Sequence, residues 1–230
     1  MTDFNPFAPT TGQAVLNAAP VNTHLYLYSD LARDPREAVD IISSLGRNSI
    51  ILYQDPSRMN SGHWVSLALH PERKEAYFFS SYGGKPDEEK NRWISQQQLA
   101  SSGQARNVLN DGLKEYMKKG WEIHYNDFPF QKAGDQTATC GVWSTAFLNE
   151  GVDPDEFVRR RKSARDYFFK YFSRRNDRYR RKREKLSMRG SRDDRARGTS
   201  VLYTTGGCDP RYGGRNCNSS FDATMVSKRK

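Results

Sequence analysis

Residues 61–84 read SGHWVSLALHPERKEAYFFSSYGG. HWVSLALH alternates as a strand, HPERKE supplies a turn, and AYFFS returns as a second strand. The pattern is a β-hairpin. His63 opens its first strand directly after Gly62, and Ser80 and Ser81 close its second at an aromatic-rich edge before Gly83 and Gly84. A histidine so placed can face a cleft.

A hairpin needs neighbours to be stable. Upstream, SIILYQ (49–54) is an apolar strand run bounded by the turn-rich DPSRMNSG, and HLYLYSD (24–30) alternates like a short strand. Between them Asp34 can cap a helix with Pro35 at its first position, Ala38, Val39, Ile41, Ile42 and Leu45 form its apolar face, and Gly46 ends it. Downstream, residues 86–119 are mainly helical in pattern, and WEIHYNDFPFQ (121–131) is another strand, broken near Pro129 and ending at Gln131. After the loop KAGDQTAT, CGVWSTAFLNEG reads as a buried helix from Cys140 to a stop at Gly151. Residues 1–20 read as a flexible arm. Residues 158–190 form a basic, aromatic-containing helical extension whose YFFKYF run (167–172) packs on the body, and residues 191–230 have the composition of a disordered tail.

The 230 residues are only 36% hydrophobic, and the mean hydropathy is −0.89. Charge is uneven. Residues 1–150 carry 14 basic and 17 acidic side chains, 151–200 carry 18 and 8, and 201–230 carry 5 and 2. A slightly acidic body with a basic tail attracts polyanions, either nucleic acid or an anionic surface. The N-terminus lacks a signal-peptide pattern and no apolar run reaches membrane-spanning length, so an intracellular protein that is neither secreted nor membrane-bound is expected. Of three cysteines, Cys140 stands in the body and Cys208 and Cys217 in the tail, which is no secreted disulfide framework.

A cysteine at a loop-to-helix junction has a chemical meaning. The positive end of the helix favours thiolate, and free backbone N–H groups there can hold an oxyanion. Gly141 is expected to let a substrate carbonyl approach closely. Of His24, His63, His70 and His124, only His63 follows a glycine at the start of a strand.

The ordered set GHWVSLALHPERKEAYFFSSYGG, then FPFQKAGDQTATCGVW, resembles the adenovirus-protease-like and ubiquitin-like-protein-protease (SUMO protease) cysteine peptidases. It is most similar to the branch of maturation proteases from large DNA viruses, virophages and related elements. The resemblance covers roughly residues 49–150. It implies an α+β, papain-like core over residues 21–157, with a central mixed β-sheet flanked by helices. It also implies Cys140 as nucleophile, His63 as general base, Gln131 as the oxyanion-hole amide and Trp64 packed beneath. No metal or organic cofactor is implied, although activation by a peptide or DNA belongs to the resemblance. The implied partners are capsid or core precursor proteins, inside the host cell and in the packaged virion.

Two departures stand out. Where the family phrase has an acid or amide, this chain has Ser80, which can accept a hydrogen bond but carries no charge. Ser80→Asp is accordingly expected to raise turnover. Gln131 also lies further from Cys140 than the family's glutamine does, which leaves Gln136 as its rival. The basic residues Arg159, Arg160, Arg161, Lys162, Arg180, Arg181, Lys182 and Arg183 are candidates for DNA contact. The expectation is a cysteine endopeptidase. Its alternatives are a ubiquitin-like-modifier isopeptidase and a degenerate, nucleic-acid-binding virion protein.

Overall fold

A computed structural model describes residues 4–57, 61–131 and 137–173. Five strands form one sheet in sequence order: β1 (Thr23–Leu27), β2 (Asn48–Gln54), β3 (Gly62–His70), β4 (Glu75–Ser80) and β5 (Glu122–Tyr125). The outer pairs β1–β2 and β4–β5 are parallel, and the inner pairs β2–β3 and β3–β4 are antiparallel. The helices are α1 (Gly12–Ala18), α2 (Tyr28–Arg33), α3 (Ala38–Ser44), α4 (Glu88–Trp93), α5 (Gln96–Ser101), α6 (Val108–Lys118), α7 (Cys140–Glu150), α8 (Pro154–Arg160) and α9 (Ala164–Tyr167), with a π-helical turn at Phe168–Ser173. The protein is thus a mixed sheet flanked by helices. Among the described residues, no helix is long and apolar enough to cross a membrane.

Side-chain alternation divides the core between the two faces of the sheet. Ile50, Leu52, Trp64, Ala68, Tyr77 and Phe79 pack with α1, α7, α8 and α9. Ile51, Tyr53, Val65, Leu67, Leu69, Ala76 and Phe78 pack with α2, α3 and α6. Phe79 is fully buried, stacked on Phe147 at 4.9 Å and edge-on to Phe157 at 5.2 Å. Burying such a ring stabilises by roughly 1.5–3 kcal/mol, and it fixes the end of β4 where Ser80 follows.

Several expectations are corrected. Part of the flexible arm is α1, capped by Thr11 and inserted with Val15 and Ala18 in the core; a seven-residue segment with two apolar anchors has little pattern to read. Tyr28 begins a helix rather than ending a strand. The α3 helix starts at Ala38, because Asp34 terminates α2 and turns its carboxylate to the Arg36 backbone N–H at 3.0 Å. β5 stops at Tyr125, so Gln131 lies beyond the strand. Tyr167, Tyr171 and Phe172 are buried in the same core as α7, as the YFFKYF run suggests. The tail from residue 174, with Cys208 and Cys217, lies outside the described residues.

Candidate active site

The hairpin register brings the base to the serine. Val65 pairs with Ser80, so Ser80 is the diagonal neighbour of His63, two residues earlier on β3. Ser80 is held by Asn126, which leaves β5 to grip it. The Ser80 N–H donates to Asn126 Oδ1 at 3.1 Å, and Asn126 Nδ2 donates to the Ser80 carbonyl at 2.8 Å.

His63 Nε2 lies 3.0 Å from Ser80 Oγ and 3.1 Å from Glu89 Oε2. Ser80 Oγ–H donates to Glu89 Oε1, and Ser80 Oγ accepts from the Tyr82 N–H at 3.2 Å. A hydroxyl has one hydrogen to give and two lone pairs, and an ionised carboxylate only accepts. With the hydroxyl hydrogen on Glu89, Ser80 must accept from His63, so the imidazole proton sits on Nε2. Nδ1 is buried and has no hydrogen-bond partner among the described residues, which leaves it as the ring nitrogen for Cys140. The carboxylate that the sequence lacks at position 80 is therefore present, nine residues on, from the second residue of α4.

Gly84 explains how Glu89 gets there. A Cβ on Gly84 would stand 2.7 Å from Glu89 Cγ and 2.8 Å from its Oε1, so the bare backbone makes room for the acid. Tyr82 covers the base, its ring 4.4 Å from that of His63 and tilted by 32°. The His63 side chain is 14% exposed and that of Glu89 5%, so the pair is largely shielded from screening water.

Cys140 starts α7 and is half-buried, with Thr139 before it making no side-chain cap. The first-turn N–H groups of α7 are thus free of a capping side chain. Burial alone would raise the Cys140 thiol. Hydrogen bonding to His63 and the histidine's charge, with the backbone N–H groups of Trp64 and Gly141, outweigh burial and lower it. Burial likewise opposes a charged His63, but its interactions with Cys140 and then Glu89 prevail and raise it to about 9. The two shifts favour thiolate with imidazolium. His24 lies against Gly46, and His70 and His124 flank Tyr77, so none of them takes this place.

Gln131 is buried. Its Oε1 accepts from Ser81 Oγ at 2.5 Å, and its Nε2 donates to the Thr137 carbonyl at 2.9 Å. Its backbone N–H is held by the Ser81 carbonyl at 2.9 Å. Gln131 therefore ties β4 to the segment that leads into Cys140, with its amide oriented at both ends. Its rival Gln136 lies outside the described residues. Trp64 is buried, its indole N–H donating to the Thr10 carbonyl at 3.1 Å, while Ser144 Oγ of α7 donates to the Trp64 carbonyl at 2.9 Å. That last bond links the base-bearing strand to the cysteine-bearing helix. The role foreseen for Gly141 changes: a Cβ there would meet Thr10 Cβ at 2.9 Å and Val15 Cγ2 at 3.0 Å, so its space is taken by the N-terminal segment.

No protein-family model matches the chain. Over 146 residues it is 30% identical to the Sputnik virophage protein called "Uncharacterized protein V9", an overlap of 63% of this chain and 78% of that protein. The chain belongs to the V9 family. The V9 relation places it with a protein of a virophage and brings no activity with it.

Within this V9-family chain, the structure describes four of the eight basic candidates. Arg159 and Arg160 pair with Glu156, Arg161 lies over the Phe128 ring at 4.4 Å, and Lys162 is exposed. Arg180, Arg181, Lys182 and Arg183 lie outside the described residues. Sequence reasoning missed Glu89, Asn126 and the covering ring of Tyr82. The signals were there for one of them: a Gly-Gly step that leaves room, followed by the acidic pair Glu88 and Glu89.

Proposed function

We propose that this protein is a cysteine endopeptidase with a papain-like arrangement, in which Cys140 is the nucleophile and His63 the base. The observation that carries the reading is the line from His63 through Ser80 to Glu89, set beside a Cys140 thiol that His63 lowers while its own imidazole is raised. In this reaction the Cys140 thiolate attacks a peptide carbonyl carbon. The C–S bond forms as the carbonyl π pair moves onto oxygen. The Cys140 backbone N–H and the Gln131 amide receive that oxyanion. Collapse breaks the C–N bond, and the departing amine takes the Nδ1 proton of His63. A water then gives its proton to Nδ1, attacks the thioester and releases thiolate. Glu89 and Ser80 keep the ring proton on Nε2 and favour imidazolium while the thiolate is free.

The V9 relation supports a viral setting, in which the substrates are precursors of capsid or core proteins. Incubating the purified chain with the structural proteins of a related virophage tests the reading. Discrete fragments are expected with the wild type and none with Cys140→Ala. Intact structural proteins with both forms would refute it.

A further inference from the structure

A cavity of about 380 Å³ opens beside the base, lined by His63, Tyr82, Glu89, Asp55, Pro56 and Ile94 among others, and not by Cys140. We propose that it receives the side chain of the residue just after the scissile bond and that it selects a basic one. This rests on the peptidase reading and deepens it.

Position comes first. The leaving amine takes its proton from His63, so the leaving-group side of a peptide must lie against that ring. The cavity shares that wall.

Charge decides the class. Among the described residues, three ionisable groups besides His63 and the tyrosines line the space: Asp55, Glu89 and Lys90. Glu89 is engaged by His63 and Ser80. Lys90 is buried and directs Nζ elsewhere, to Asn107 Oδ1 at 2.8 Å and Asn91 Oδ1 at 3.1 Å, above the Tyr28 ring at 5.2 Å. Asp55 is half-buried, and its Oδ1 accepts only from the N–H and Oγ of Ser57, at 2.9 and 2.5 Å. Among the described residues no cation lies within ion-pair distance of Asp55. Among the described residues, its carboxylate is the charge of the cavity that has no cationic partner. Pro56, Ile94 and the Tyr82 ring supply apolar wall for the methylene stem of a lysine or arginine whose head reaches Asp55. An acidic side chain would meet Asp55 and Glu89 together.

The test has two arms, both on the full chain. In the first, a mixed peptide library is digested and the new N-termini are read by mass spectrometry. Lys and Arg should be enriched at least 10-fold over Glu and Asp at the first position, and Asp55→Asn should abolish that enrichment. Cleavage with no basic preference, or a preference untouched by Asp55→Asn, would overturn the assignment and leave the peptidase reading standing. In the second arm, Cys140→Ala protein is titrated by calorimetry with the pentapeptide amides KAAAA and EAAAA. The lysine peptide should bind at least 10-fold tighter, and Asp55→Asn should remove the difference. That result holds whether or not the chain cleaves anything. Equal binding, or none, would overturn the cavity on its own account.

Discussion

Replacing Glu89 by glutamine keeps the shape of the side chain and removes its charge. At 3.1 Å, Glu89 Oε2 attracts an imidazolium at His63 by about 5 kcal/mol at an effective dielectric of 20, before desolvation is subtracted. The net effect is smaller. His63 rises from 6.5 to about 9, which at about 1.4 kcal/mol per pH unit is about 3–4 kcal/mol in favour of the charged ring, the net of burial against its interactions with Cys140 and Glu89. Glu89→Gln removes one of the two groups that raise His63, so the His63 pKa should fall, by about one unit. The sign follows from what titrates. The reactive pair needs thiolate, lost as pH falls through the lowered Cys140 pKa, and imidazolium, lost as pH rises through about 9. The profile of kcat/KM should be bell-shaped, and Glu89→Gln should draw its alkaline limb down by about one unit with a 10- to 100-fold loss at the optimum. The assay is cleavage of a fluorogenic peptide across pH 5 to 10, with circular dichroism to verify the fold. An unmoved alkaline limb and full kcat/KM would refute the role given to Glu89.

Ser80→Asp, expected from sequence to help, should instead harm. It sets a second carboxylate against Glu89 in a fully buried site, so turnover should fall at least 10-fold and thermal stability should drop by about 2 kcal/mol; higher turnover would show that Glu89 is not the working acid. Gly84→Ala should push Glu89 from its seat and copy the Glu89→Gln pH profile. A wild-type profile would contradict the packing argument. Gln131→Ala should lower kcat by on the order of 10²–10³ with little change in KM, measured by steady-state kinetics; a change confined to KM would remove Gln131 from the oxyanion hole.

The strands were legible because their physics is local. A sheet covered on both faces calls for short, nearly continuous apolar runs, and WVSLAL and AYFF, which became β3 and β4, are buried on both faces. Cys140 at the start of α7 was legible for a similar reason: an apolar run bounded by a polar loop and a glycine. What was hidden is what distance along the chain hides. The acid was sought at position 80, on the strand, and Ser80 was read as a deficiency. In space Ser80 is a relay, and the charge comes from α4 over a glycine. Asn126 looked like part of a strand because EIHYND continues the pattern, yet its amide is worth more gripping the backbone of Ser80 than continuing the ladder. Gly141 looked like an opening for substrate, and only the placement of Thr10 and Val15 shows the space to be filled. The first helix was missed because its stability comes from packing rather than from its own composition.

The central claim is that His63 holds Cys140 as a reactive thiolate. Its most direct test is the rate of Cys140 alkylation by iodoacetamide, followed by mass spectrometry from pH 4 to 10 in wild type and His63→Ala. The wild type should react fast well below the ordinary thiol pKa, with a reactive plateau across neutral pH. His63→Ala should lose that plateau and react only as the pH approaches the range of an isolated, buried thiol. Identical pH profiles for the two proteins would contradict the account.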